Sequence, residues 1–125
     1  MILVDTPIWI DHLRAGDEVT AHLLSEGSVL MHPFVKGEIA LGHLRARAHV
    51  MRQLDQLPQE IRAHDDEVMR LIEAENLPAS GIGYVVALLV ASVRLTGGAL
   101  LWTRDKRLGA VAELLGVAAR VGELC

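Results

Sequence analysis

Ile2-Leu3-Val4-Asp5-Thr6-Pro7 is the stretch that decides the fold. Three consecutive apolar residues form the short, unbroken run expected of a strand buried on both faces of a parallel sheet; a half-exposed strand would alternate. Proline suits the first helical turn, where its missing N–H costs nothing, so Thr6-Pro7 predicts a helix start. That helix carries Ile8, Trp9, His12 and Leu13, and Gly16 ends it.

Outward from this unit the pattern repeats. A second short helix is predicted over Val19 to Leu24, and Ser28 to Met31 reads as another apolar strand. His32-Pro33 opens a helix from about Phe34, Gly42 interrupts it, and Arg45 to Leu54 continue as its successor. Pro58 breaks the pattern. Asp65 to Glu75 reads as helix, Asn76 to Gly83 as a loop rich in small residues, and Tyr84 to Leu95 as an apolar central helix. Gly97-Gly98 turns the chain into a strand over Ala99 to Trp102. Lys106 to Leu115 is a helix closed by Gly116, and Val117 to Val121 is expected as a last edge strand. Strands alternating with helices imply an α/β fold, a parallel sheet covered on both faces.

The 125 residues suit one domain over 1–125, and an apolar fraction of 51% supplies a core without disulfide or structural metal. The single cysteine, Cys125, has no intrachain partner. Met1-Ile2-Leu3-Val4 meets a charge at Asp5, unlike a signal or transit peptide, and the uncharged stretch from Leu77 to Val93 is interrupted by Pro78, Gly81 and Gly83. The expectation is a soluble, cytoplasmic protein with no membrane partner. A net charge of −4 argues against gripping nucleic acid through a broad basic surface. Three cations do cluster, at Arg104, Lys106 and Arg107, where a solvated helix start is the ordinary explanation.

In open parallel sheets the functional crevice lies beyond the carboxyl ends of the strands. Asp5 and Asp105 both sit there by sequence, although aspartate is also a favoured helix N-cap. Glu38 has Phe34, Val35, Leu41 and Gly42 as its helical neighbours, which places it on the core-facing stripe, where a carboxylate needs a partner: an arginine, a hydrogen-bond donor or a metal. Three acids in one crevice would make a Mg²⁺ or Mn²⁺ site, since these hard ions prefer oxygen and can activate water against a phosphate. Thr6 and Thr103, beside the aspartates, would hydrogen-bond phosphate or metal-bound water, or simply cap helices. Arg104 is the candidate cation for substrate. The six histidines lack zinc-ligand spacing, Gly81-Ile82-Gly83 lacks the third glycine of a phosphate loop, and an aromatic content of 3% excludes a base-stacking platform.

Ile2-Leu3-Val4-Asp5-Thr6, Trp9-Ile10-Asp11, Pro33-Phe34-Val35 with Glu38-Ile39-Ala40, Gly81-Ile82-Gly83-Tyr84 and Leu101 to Leu108 together resemble a PIN domain of the VapC toxin family, over essentially the whole chain. The resemblance implies a three-layer α/β/α fold with a central parallel sheet of four or five strands. It also implies a Mg²⁺- or Mn²⁺-dependent endoribonuclease toxin that forms a homodimer and is silenced by a VapB-type antitoxin lying across the active site. By it, Asp5, Glu38 and Asp105 are catalytic and metal-binding acids. The family places a further aspartate where this chain has Val86, many relatives have histidine where it has Leu88, and serine is usual where it has Pro7.

Val86 cannot ligate a cation, and two metal ions need anionic ligands to offset their repulsion, which leaves one ion held by Asp5 and Asp105, with Glu38 through water, as the alternative. Two outcomes are therefore expected: an RNA-cleaving toxin impaired by loss of one carboxylate, or a catalytically inactive PIN-fold module that dimerises and binds an antitoxin. A receiver-like phosphoacceptor would need a lysine near its acidic pocket, and the only late one, Lys106, lies inside a helix start.

Overall fold

β1 (Ile2–Val4) is the middle strand of a three-stranded parallel sheet, flanked by β2 (Val29–Leu30) and β3 (Leu100–Trp102) in the computed structural model, which describes residues 1–121. Cys125 lies outside these residues. The register pairs Leu3 with Leu30 on one side and Leu101 on the other, and Val4 with Trp102. Leu3 and Val4 are 0% exposed, as a strand covered on both faces must be.

Between β1 and β2 run α1 (Thr6–Ala15) and α2 (Glu18–Ser25). Between β2 and β3 run α3 (Pro33–Ala40), α4 (Arg47–Asp55), α5 (Asp65–Ala74) and α6 (Tyr84–Leu95), and α7 (Lys106–Leu114) follows β3. α1 packs on α2 and α3, while α5 packs on α6, which also touches β3. Every residue of α6 from Ala87 to Val93 is buried, which explains a helix apolar all round. No helix among the described residues is long and apolar enough to cross a membrane.

The expected sheet of four or five strands is corrected to three among the described residues. On each outer edge a single bridge stands where a further strand was expected or would fit: Met31 pairs with Gln59, and Leu101 with Ala118. Pro58 has no N–H to extend the first ladder, and the Ala118-Ala119 pair is a weak strand former in the second. The segment Val117 to Val121 is thus one bridge long.

Sequence reading also passed over a buried polar network. His32 is 0% exposed at the N-cap of α3. Its Nδ1 accepts from the Phe34 N–H at 3.0 Å, which leaves Nε2 as the donor to Ser92 Oγ at 3.0 Å. Ser92 Oγ also accepts from the Ala63 N–H at 2.9 Å and donates to the Leu88 carbonyl at 2.8 Å. The network joins the end of β2, the segment before α5 and the middle of α6. Burial, with the nearby Arg62 charge, pushes the His32 pKa down from 6.5 to about 4. Glu60 contrasts with it: 5% exposed, both carboxyl oxygens without partners among the described residues, its pKa raised by burial from 4.5 to about 8.

These two groups make opposite demands on pH. His32 stays neutral in the folded state, so its contribution is complete above 6.5 and is lost as pH falls toward about 4. Glu60 stays protonated when folded, so its contribution is complete below 4.5 and is lost as pH rises toward about 8. The slopes oppose between 4.5 and 6.5, and Glu60 acts alone above that. Urea unfolding is therefore expected to show stability falling from pH 6.5 to 8 by up to about 1.4 kcal/mol per unit, with Glu60→Gln flattening the decline. An equally steep decline in Glu60→Gln would place its origin elsewhere.

Candidate functional site

Asp5 directly follows β1 and Asp105 follows β3, so both acids emerge at the carboxyl edge of the sheet. Both are also N-caps, and the ordinary role and the site role coincide. Asp5 is 9% exposed; its Oδ1 accepts from the Thr6 N–H at 2.9 Å and its Oδ2 from the Thr103 hydroxyl at 2.7 Å. Asp105 Oδ1 accepts from the Leu108 N–H at 2.9 Å, capping α7. The Thr103 oxygen in turn accepts from the Asp105 N–H at 3.0 Å. One hydroxyl thus stands between two acids exactly one hundred residues apart in number, 5 and 105.

These residues open onto a cleft of about 270 Å³ whose walls are Asp5, Pro7, Val86, Asp105, Arg107, Leu108 and the Gly81–Gly83 loop. Val86 therefore lines the same space as the two aspartates. Leu88, two residues on, is buried in the core. Gly81 has φ +88°, and a Cβ there would stand 2.9 Å from Arg107 Cδ, so the absence of a side chain at 81 lets the arginine stem lie against the loop. Arg107 was seen in the sequence only as one of three clustered cations; the signal it lacked was the spatial proximity of Gly81.

Glu38 is exposed and does not line this cleft. The expectation that it faces the core is overturned: the buried residues of α3 are Val35 and Ile39, while Leu41 is 90% exposed. The core face lies one position on from the stripe read in the sequence. Thr6 is buried and its hydroxyl has no hydrogen-bond partner among the described residues. Arg104 pairs with Asp17 at 2.6 Å and Asp11 at 3.8 Å, with its guanidinium 5.2 Å above the Trp102 ring. The hydrogen bond from Arg104, with that from the Thr20 N–H, holds the Asp17 pKa down at about 2. Among the described residues, no group of three His, Cys, Asp or Glu side chains is placed to hold one metal ion.

No protein-family model matches the chain. It is similar to Ribonuclease VapC32 of Mycobacterium tuberculosis strain CDC 1551 / Oshkosh, 48% identical over 118 residues, which covers 94% of this chain and 95% of that protein. The protein of the same name from strain H37Rv matches with the same identity and coverage.

Removing the hydroxyl between the two acids should be costly. Thr103→Val keeps the shape but strips Asp5 Oδ2 of its donor and the Asp105 N–H of its acceptor. A loss of about 1–3 kcal/mol is expected in denaturant unfolding, with Thr103→Ser close to native. Native stability in the valine variant would show that the bridge contributes nothing.

Proposed function

Because the chain belongs to the VapC family of PIN-domain ribonuclease toxins, we propose that it is a catalytically silent member: a PIN-fold protein that forms a homodimer, binds a VapB-type antitoxin and takes RNA at its cleft without efficient turnover. The observation that carries this reading is the content of the cleft. It offers two carboxylates, Asp5 with both oxygens accepting protein hydrogen bonds, and sets Val86 and Arg107 beside them.

That donor set does not fit a two-ion catalytic Mg²⁺ or Mn²⁺ site. A single such ion needs only one or two carboxylates and completes its shell with water, whereas a pair needs further anionic ligands to offset the ions' mutual repulsion. Here one wall is apolar, a guanidinium stands in the cleft, and Glu38 lies outside it. The protein-binding role needs none of these ligands, only the fold, and 48% identity along 94% of the chain supports its retention.

A slow nuclease is the second reading, favoured by Thr103 still tying Asp5 to Asp105 at the sheet edge. Under it Asp5, Glu38 and Asp105 would remain the catalytic acids, with Thr6, Thr103 and Arg104 toward substrate.

Calorimetry and RNA cleavage separate the two. The silent reading expects no Mn²⁺ binding at millimolar concentration, no RNA cleavage above background with Mg²⁺ or Mn²⁺, and retained antitoxin binding. Val86→Asp, which adds an acid to the cleft wall, should raise Mn²⁺ affinity by about tenfold or more. Cleavage by the native chain that chelator stops and Asp5→Asn abolishes would overturn it in favour of the nuclease.

A further inference from the structure

Arg107 belongs to two depressions at once. It lines the acidic cleft, and it also lines a groove of about 360 Å³ formed with Ser80, Lys106, Ala110, Val111 and Leu114. Among the described residues, Arg107 is the one that lines both the cleft and this groove. No carboxylate lines the groove, and Leu114 at its far side is 74% exposed.

The three clustered cations have different fates. Arg104 is committed to Asp17 and Asp11. Lys106 and Arg107 make no ion pair or side-chain hydrogen bond among the described residues. Arg107 is exposed, and its side chain passes within van der Waals reach of Gly81. The result is an unpaired fork next to a point charge on a strip whose remaining surface is small or apolar.

We propose that this groove is the path of a single-stranded RNA leaving the cleft, with one backbone phosphate on the Arg107 guanidinium and a neighbouring one on Lys106. The inference rests on the reading that RNA is the ligand of the cleft. A planar fork binds phosphate in two-point fashion, and an ammonium serves as a compact second charge. Leu114, 74% exposed, offers apolar contact to ribose and base. With no aromatic side chain in the groove, bases are not stacked, and affinity comes from the phosphates, independent of sequence and sensitive to salt. The groove's continuity with the cleft, and its lack of acids, favour a polyanionic strand over an acidic peptide.

The test is fluorescence anisotropy of a labelled octauridylate with the full chain in EDTA. The native protein should bind. Arg107→Ala should weaken binding about tenfold and Lys106→Ala several-fold, each lowering the slope of log affinity against log salt by about 0.7. Arg107→Lys should restore the slope but not the affinity. Arg70→Ala, a cation on α5 lining a different groove, should match native. The proposal is overturned if native protein does not bind, if Arg107→Ala and Lys106→Ala bind as native, if Arg70→Ala loses as much as they do, or if oligoglutamate displaces the RNA as well as unlabelled octauridylate. Chelator keeps the outcomes separate: an active nuclease would leave this binding result unchanged, and a failed groove would leave the Mn²⁺ and cleavage measurements unchanged.

Discussion

A carboxylate at the end of a fully buried central strand has to be given donors, and the geometry around Asp5 follows from that requirement. The chain meets it from two sides, with the Thr6 N–H of the helix that begins there and the Thr103 hydroxyl delivered by the neighbouring strand. The second bond works only if β3 runs parallel to β1 in the observed register, with Val4 beside Trp102. The same hydroxyl fixes the start of α7 through the Asp105 N–H, and the start of α7 places Lys106 and Arg107. Electrostatic need at one residue thus sets the layout of the whole sheet edge.

The edge that results is chemically mixed. Both oxygens of Asp5 and one of Asp105 accept from protein donors, a valine occupies part of the wall, and Arg107 shares the space. A pair of catalytic metal ions needs anionic oxygens enough to offset the ions' mutual repulsion. An anion-binding surface needs unsatisfied donors, which Lys106 and Arg107 offer among the described residues.

Much of this was legible in the sequence because it depends on local rules. Ile2-Leu3-Val4 and Leu100-Leu101-Trp102 read as buried strands, and Tyr84 to Leu95 as a buried helix, because hydrophobic run length and breakers alone suffice to find them. The aspartates were found because strand ends in parallel sheets are special places. Glu38 was misplaced because α3 is only eight residues long, so its apolar stripe was too short to fix the buried face, and exposed Leu41 pulled the reading one position over. Neither the His32–Ser92 bond nor the meeting of Arg107 with Gly81 could be read, since sixty and twenty-six residues separate these partners and no local pattern announces such contacts.

The short outer edges of the sheet have a consequence for the protein in a crowded cell. A long exposed edge strand offers unpaired N–H and C=O groups to any extended chain, and invites strand addition and aggregation. Here both flanks are closed after a single bridge, one beside Pro58 and the other beside a pair of alanines, so an incoming strand finds almost no ladder to continue. A chain that is 51% apolar is thereby denied its easiest template for self-association.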